Sequence, residues 1–519
     1  MSSPDSGARR AATLAVSCAA LFLIFLDSTV VNVALPALQH DLSAAAGLLQ
    51  WAVNGYLVAF AGLVLLGGRL GDRFGHRRVF AFGLLIFGAA SAVTALANTF
   101  AVLVAGRVGQ GVGAALLAPL SLALLARAFP TEKLAAAVGI WAGVSGVGLA
   151  IGPLVGGLLV EHVGWPAVFW LNVPLASLAL LVTVRWVPAT RVDASPALDV
   201  PGAALVTVAL TSLAAGLAWS AEHAWTDVVT LTLLALGLAL LAGFAAQQRV
   251  SRTPWIPARW LRDPAVRAAV GILALASFAL MGAVWFTTLY LQNVLGYSAA
   301  QAGLRTLPLT GTTLVVAPIA GKLHARRGAR GLMTAGLGLT AAGTVALARL
   351  TATSGYNTLA VGLTLLGVGL ALVLPTTVGL VMVRTDDDRT GVAAGLITTS
   401  RSFGSALGLA TLAALGARVA GDEMSASVAS RAVSDLAAGG QVGTVARVAG
   451  AAAADAARAA FMHGFAAAMW GATACVGVAA ALALIAMAAP SARRGGAGPT
   501  LAHPASSTVP NEAAGVRSP

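Results

Sequence analysis

The sequence predicts an all-α integral membrane protein of fourteen transmembrane helices, and three observations carry that prediction. Of the 519 residues, 58% are hydrophobic and only 10% are charged, against about 25% charged in an ordinary soluble domain. The chain consists mostly of apolar runs of about 20 residues, the length at which a helix crosses a bilayer. It lacks the roughly ten-residue polar and apolar alternation of a membrane β-strand. Finally, Gly68–Arg77 and Gly321–Arg330 both read G-x-L-x-x-R-x-G-x-R between apolar runs. A basic, glycine-hinged segment repeated once per half describes a chain built from two related halves.

In order, the spans fall at 12–36, 48–67, 79–97, 100–125, 136–159, 166–186, 200–219, 228–246, 267–290, 300–320, 331–349, 358–382, 391–416 and 466–489. The repeat maps spans one to six onto spans nine to fourteen and leaves seven and eight as an inserted pair, a 6+2+6 plan. The expected divisions are an N-terminal segment 1–11, a first six-helix half 12–187, an inserted pair with linkers 188–265, a second half 266–489 and a tail 490–519. The second half carries an Ala-rich, polar outer loop, 417–465, able to form a surface helix and assigned no chemistry. The tail is rich in Ser, Pro, Gly and Ala and is expected to be disordered.

A net charge of +13 raises the question of nucleic acid, but the basic residues sit in short loops between spans rather than on one folded face. Outside the spans, only Arg349, Arg418, Arg431, Arg447 and Arg458 fall on the side opposite the N-terminus. By the positive-inside rule both termini are cytoplasmic, and no nucleic-acid partner is expected. Cys18 and Cys475 lie inside apolar runs and read as small buried hydrophobes, so no disulfide or metal site is expected.

Of the 19 acidic residues only Asp27 falls well inside a span, and Asp72 sits at a span edge. A carboxylate in hydrocarbon costs at least about 2.5–3.5 kcal/mol, which marks Asp27 for function. Arg107, on span four, lies at the same depth, roughly 10–14 Å below the outer helix ends at 1.5 Å per residue. An ion pair between them is expected. Burial opposes ionisation while a nearby guanidinium favours it, the balance a carboxyl needs to exchange protons as access changes. Arg401, near the middle of span thirteen, is a pocket residue on the same grounds, and Arg305 lies close enough to a span end to snorkel outward. One carboxylate against three arginines within the spans points to neutral or anionic cargo over dications.

Span five places Gly139, Gly148, Gly152, Pro153, Gly156 and Gly157 in register. Small residues three and four apart admit close helix approach, and Pro153 frees a carbonyl and bends the helix. This pattern resembles motif C of antiporters in the major facilitator superfamily. Gly68–Arg77 resembles that superfamily's motif A, with His76 where a basic residue is usual. Leu103-x3-Arg107-x2-Gln110-Gly111-x-Gly113-x-Ala115 resembles motif B, and Leu26–Pro36 the first-span signature of the fourteen-span drug:proton antiporter branch.

The resemblance, covering residues 12–489, implies a major-facilitator-type fold. The implied function is that of a proton-coupled exporter of small amphipathic molecules such as drugs or antibiotics, working by alternating access. The proton gradient is the energy source and no cofactor is implied. It implies that Asp72 makes a charge–dipole contact at a cytoplasmic gate, that Arg107 takes part in proton relay, and that the glycines kink span five. Gly68, Arg73, Gly75 and Arg77 complete the gate segment: the glycines permit tight turns, and the arginines can face anionic headgroups. Ala325 replaces the Asp in the second copy, so a latch is expected mainly in the first half. The expected setting is the cell membrane, with lipid, protons and a small-molecule substrate as partners and a monomer as the working unit. An importer or uniporter of similar fold is the alternative. An integral membrane enzyme is a poorer fit, because the seven His are scattered and no phosphate-binding G-x-x-x-x-G-K-[ST] occurs.

Overall fold

The computed structural model describes residues 4–42, 49–189, 199–220, 223, 225–251, 253–327, 329–427 and 442–488, and all their regular structure is helical. The principal helices are α1 (Pro4–Asp41), α2 (Trp51–Phe74), α3 (His76–Ala95), α4 (Phe100–Ala128), α5 (Thr131–His162), α6 (Pro166–Trp186) and α7 (Val200–Ser220). They continue with α8 (Val228–Val250), α9 (Pro264–Leu289), α10 (Leu307–Arg327), α11 (Ala329–Ala348), α12 (Tyr356–Val383), α13 (Thr390–Ser427) and α14 (Ala451–Ala488).

Among the described residues thirteen helices are long and apolar enough to cross a membrane. The exception is the span expected at 300–320. It is cut into Ala299–Arg305 and α10, whose apolar part is only Leu307–Ala320. Pro308 is the cause: it has no N–H to offer the Leu304 carbonyl, and its ring disfavours helical backbone just before it. The segment 417–465, expected as an outer loop able to form a surface helix, is helical where it is described except at Gly450, whose φ of +87° separates two helices. It prolongs α13, forms Val442–Ala449 and begins α14, as its alanine content favours. Residues 428–441 and the tail 490–519 lie outside the described residues.

Helices α1–α6 pack among themselves, as do α9–α14, and the two groups meet through α5 against α10 and α12 and through α13 against α2 and α4. The inserted pair seats α7 on α2 and the flank of α13. There Leu65, Val206, Leu210, Phe244 and Trp255 share a cluster with Leu396 and Phe403. Asp199 ties the ends of the pair together. It accepts from the Gly202 N–H at 3.0 Å, capping α7, and from Gln247, Gln248 and Ser251 at the end of α8. Burial raises the Asp199 carboxyl, but these hydrogen bonds outweigh it and hold it below the usual carboxylate range. The outer faces carry exposed Leu178, Leu181, Leu231, Leu238 and Ile485, an apolar surface suited to lipid.

The glycines of α5 work two faces. A Cβ on Gly139 would lie 2.6 Å from the Ala317 carbonyl carbon on α10, whereas Cβ atoms on Gly148, Gly152 and Gly156 would meet Phe22, Thr29 and Val30 on α1. Pro153 lies inside the helix, where it leaves the Leu149 carbonyl without its usual partner. Gly157 differs from the expectation, since nothing lies within 4 Å of its Cβ position. Gly139→Ala should therefore lower the thermal midpoint of the detergent-solubilised protein, by overpacking worth about 1–3 kcal/mol. Gly157→Ala should stay within about 0.5 kcal/mol of the parent. Equal midpoints for the two variants would count against the packing assignment.

Candidate functional site

The first polar centre is built in the core of the first six helices. Asp27 on α1 is fully buried and is bound from two other helices. Arg107 on α4 makes an ion pair with its Oδ2. Gln110, three residues on and so on the same helix face, donates to Oδ1 at 2.9 Å. Asn172 at the turn within α6 donates to Oδ1 at 2.7 Å. Arg107, also fully buried, donates through Nε to the Ala52 carbonyl at 2.7 Å and through Nη1 to Gln110 Oε1 at 2.8 Å. Its guanidinium lies 4.6 Å from the Tyr56 ring centroid and 5.7 Å from that of Phe169. Gln110 also donates to Ser91 Oγ at 2.7 Å. Arg107 Nη2 and Asn172 Oδ1 remain without partners.

A buried charge pair of this kind is tolerated only because nearly every remaining lone pair and proton is engaged. The ion pair expected from depth is present. What it can do chemically is hold a carboxylate among neutral amide donors, with one adjacent cation, in a space closed to bulk water.

The second centre lies where the repeated segment meets the second half. The chain stays helical through Phe74, and only Gly75, at φ +94°, leaves the helical region. The segment is thus a helix end and a single hinge rather than a loop. Gly75 serves the turn as expected and Gly68 does not. A Cβ on Gly68 would fall 2.1 Å from the Gly391 carbonyl oxygen, and one on Gly391 would fall 2.2 Å from that of Gly68. The two halves touch here through bare backbone.

Four residues on, the fully buried Asp72 side chain accepts from the backbone N–H groups of Gly391 at 2.7 Å and Val392 at 2.8 Å. It thereby caps the first turn of α13, where free N–H groups and the helix dipole both favour an anion. His76 Nε2 stands 2.9 Å from Asp72 Oδ1 and 3.4 Å from Thr390 Oγ1. Arg77 donates to the Val184 carbonyl near the end of α6, so it ties two helices of its own half together. Arg73 on the last turn of α2 is half-buried and has contacts of its own.

The loop before α13 is held by the linker after α8. Arg389 donates to the Pro254 carbonyl at 2.9 Å, Arg384 pairs with Asp263 at 3.1 Å, and Arg259 pairs with Asp386. In the second copy of the repeat, Gly328 and the side chains of 321, 322 and 324–327 lie outside the described residues, so the contrast drawn from Ala325 falls there too.

Arg401 joins neither centre. Its guanidinium lies 5.9 Å from the ring centroid of Trp141 on α5, across the boundary between the halves. Arg305 is stacked on Tyr297 at 3.7 Å and near Tyr356 at 5.7 Å. Sequence reasoning missed Asn172, Ser91, Tyr56 and Trp141. For Asn172 a signal existed, an amide alone in the apolar run Phe169–Val173. Backbone partners such as Gly391 and Val392 carry none.

A helical membrane bundle in two contacting halves, with a buried ion pair in one and a capped helix end between them, is the architecture of a membrane transporter. Residues 17–409 match the pattern of the Major Facilitator Superfamily. The chain is 39% identical over 411 residues, 79% of this chain and 76% of the relative, to the tetracenomycin C resistance and export protein of Streptomyces glaucescens. It is 39% identical over 412 residues, 77% of this chain and 83% of the relative, to the cephamycin export protein of Amycolatopsis lactamdurans. Among solved structures, the superfamily's proton:xylose symporter aligns over 92% of this chain and 95% of its own, with TM-score 0.60 and 15% identity, a likeness of fold. The chain belongs to the Major Facilitator Superfamily and is a multi-pass membrane protein.

Proposed function

We propose that the protein is a proton-coupled exporter of small amphipathic molecules, drugs or antibiotics among them. On this reading fourteen helices in a 6+2+6 arrangement rock about a central substrate site by alternating access. The observation that carries the reading is the Asp27–Arg107 pair, the one carboxylate deep within a predicted span, buried beside a cation and two amides. Protonation of Asp27 removes the charge that holds Arg107, so proton arrival and helix rearrangement are linked through one contact. The export proteins among its relatives support the outward direction, and the glycine-built α5, which contacts both α1 and α10, supports it too. Asp72 serves as the latch of the gate, both termini are cytoplasmic, and the working unit is a monomer needing no cofactor beyond the proton gradient.

The test is efflux profiling in a host deleted of its own pumps. Expression should lower the accumulation of several structurally unrelated amphipathic antibiotics, and a protonophore should cancel the effect. Efflux that persists undiminished with the protonophore present would remove the proton from the mechanism. Uptake rather than efflux would favour the importer alternative.

A further inference from the structure

We propose that Arg401 and Trp141 form an anion-recognition subsite at the centre of the molecule, so that the preferred cargo is an amphipathic organic anion. The proposal rests on the transport reading and adds to it the charge of the substrate.

Placement comes first. Arg401 lies eleven residues after Thr390, the start of α13, and Trp141 ten residues after Thr131, the start of α5. At 1.5 Å per residue both stand roughly 15–17 Å along their helices, near the middle of a hydrocarbon core about 30 Å thick. The two residues come from different halves, so a molecule bound between them touches both moving bodies, as alternating access about a midplane site requires.

Charge comes second. Arg107 and Arg401 stand in contrasting states. Arg107 is neutralised by Asp27 and hydrogen-bonded to Gln110 and Ala52. Arg401 has no carboxylate and no hydrogen-bond partner among the described residues, and its Nε is enclosed with nothing to donate to. No acid in the neighbouring centres is available to it. Asp27 accepts from Arg107, Gln110 and Asn172, and Asp72 accepts from Gly391 and Val392 and faces His76. An uncompensated cation in a low-dielectric interior costs several kcal/mol, so its persistence at this depth marks a functional position.

Geometry comes third. The Trp141 ring is 2% exposed, and its Nε1 donates to Ser121 Oγ on α4 at 2.9 Å, which fixes the ring from the first half. The guanidinium rests over that ring, a cation–π contact that holds its plane without neutralising its charge. Arg401 is only half-buried, so part of its surface remains accessible. A planar fork of N–H donors, held by an aromatic face and lacking a protein acceptor, suits a carboxylate or sulfonate bound through two oxygens.

The test uses three probes of one shape: 2-naphthoate, neutral 2-naphthamide and cationic 2-naphthylmethylammonium. Binding to the protein in vesicles is measured by equilibrium dialysis with no proton gradient imposed. The acid should bind at least about tenfold more tightly than the amide, as losing one charge-assisted hydrogen bond predicts, and the amine least of all. Arg401→Gln should erase that preference by weakening the acid alone, and Arg401→Lys should restore part of it. Trp141→Phe, which keeps a ring and drops the bond to Ser121, should weaken the acid more than the amide. Equal binding of acid and amide to the wild type, or binding of neither, overturns the proposal without reference to any variant. Equal weakening of both by Arg401→Gln overturns it too. Imposing a gradient then separates the two readings, since selective binding without gradient-driven transport counts against proton-coupled export and leaves the subsite standing.

Discussion

Asp27→Asn is expected to abolish proton-driven accumulation in reconstituted vesicles while leaving gradient-free exchange of labelled substrate measurable. Asparagine preserves the size of the side chain and can still accept from Asn172 and Gln110, which reach Asp27 Oδ1 at 2.7 and 2.9 Å. It cannot take or release a proton, so coupling should fail even where binding and rocking survive. The variant also strands Arg107 without its counter-ion. Removing one member of a buried pair costs about 3–5 kcal/mol, whereas removing both is often close to neutral. The double variant Asp27→Asn/Arg107→Gln should therefore recover thermal stability relative to the single variant without recovering coupled transport. Full proton-driven accumulation by either variant would show that Asp27 is not the coupling residue.

Asp72→Ala is expected to loosen the contact between the halves. It deletes two acceptors for the Gly391 and Val392 N–H groups, each bond to a charged group being worth about 1.5–3 kcal/mol. A loss near 3 kcal/mol shifts the closed-to-open ratio by roughly a hundredfold. Gly68→Ala should act in the same direction by steric means, because the new methyl would fall 2.1 Å from the Gly391 carbonyl oxygen. A cysteine placed at Leu65, a residue 3% exposed and packed against Gly395, gives the readout in a background lacking Cys18 and Cys475. Its labelling by a water-soluble thiol reagent should accelerate about ten- to a hundredfold in both variants, with membrane insertion unchanged. Unaltered labelling would mean that Asp72 holds nothing shut.

The parts of this molecule that were readable from sequence are those where one residue type carries the signal. Apolar runs located the helices because bilayer thickness sets their length. Asp27 and Arg107 stood out because charge is rare in hydrocarbon, and helix rise alone was enough to put them at one depth. The tenth span misled because hydropathy does not register that Pro308 interrupts the hydrogen-bond ladder inside an otherwise suitable run. The segment 417–465 was legible in part: its alanine content pointed to a surface helix, and α13 and α14 do extend into it, but composition did not show how far each helix runs. Gly68 was read as a turn residue because glycine favours turns, yet its use is close approach, which depends on a residue more than three hundred positions away. The partners of Asp72 are backbone N–H groups, which every residue but proline possesses.

The cap on α13 has a consequence for water. Helices α4, α8 and α9 are capped by Thr99, Asp227 and Asp263, each immediately before its own first turn, so those caps travel with the helices they serve. The first turn of α13 borrows its acceptor from the other half of the molecule. If, as proposed, the halves part in alternating access, a carboxylate and two amide N–H groups lose each other at once, and none of them can be left dry without a cost of several kcal/mol. Separation at this end therefore cannot precede hydration. Solvent must enter as the contact breaks and be expelled as it re-forms, which makes each opening a wetting event.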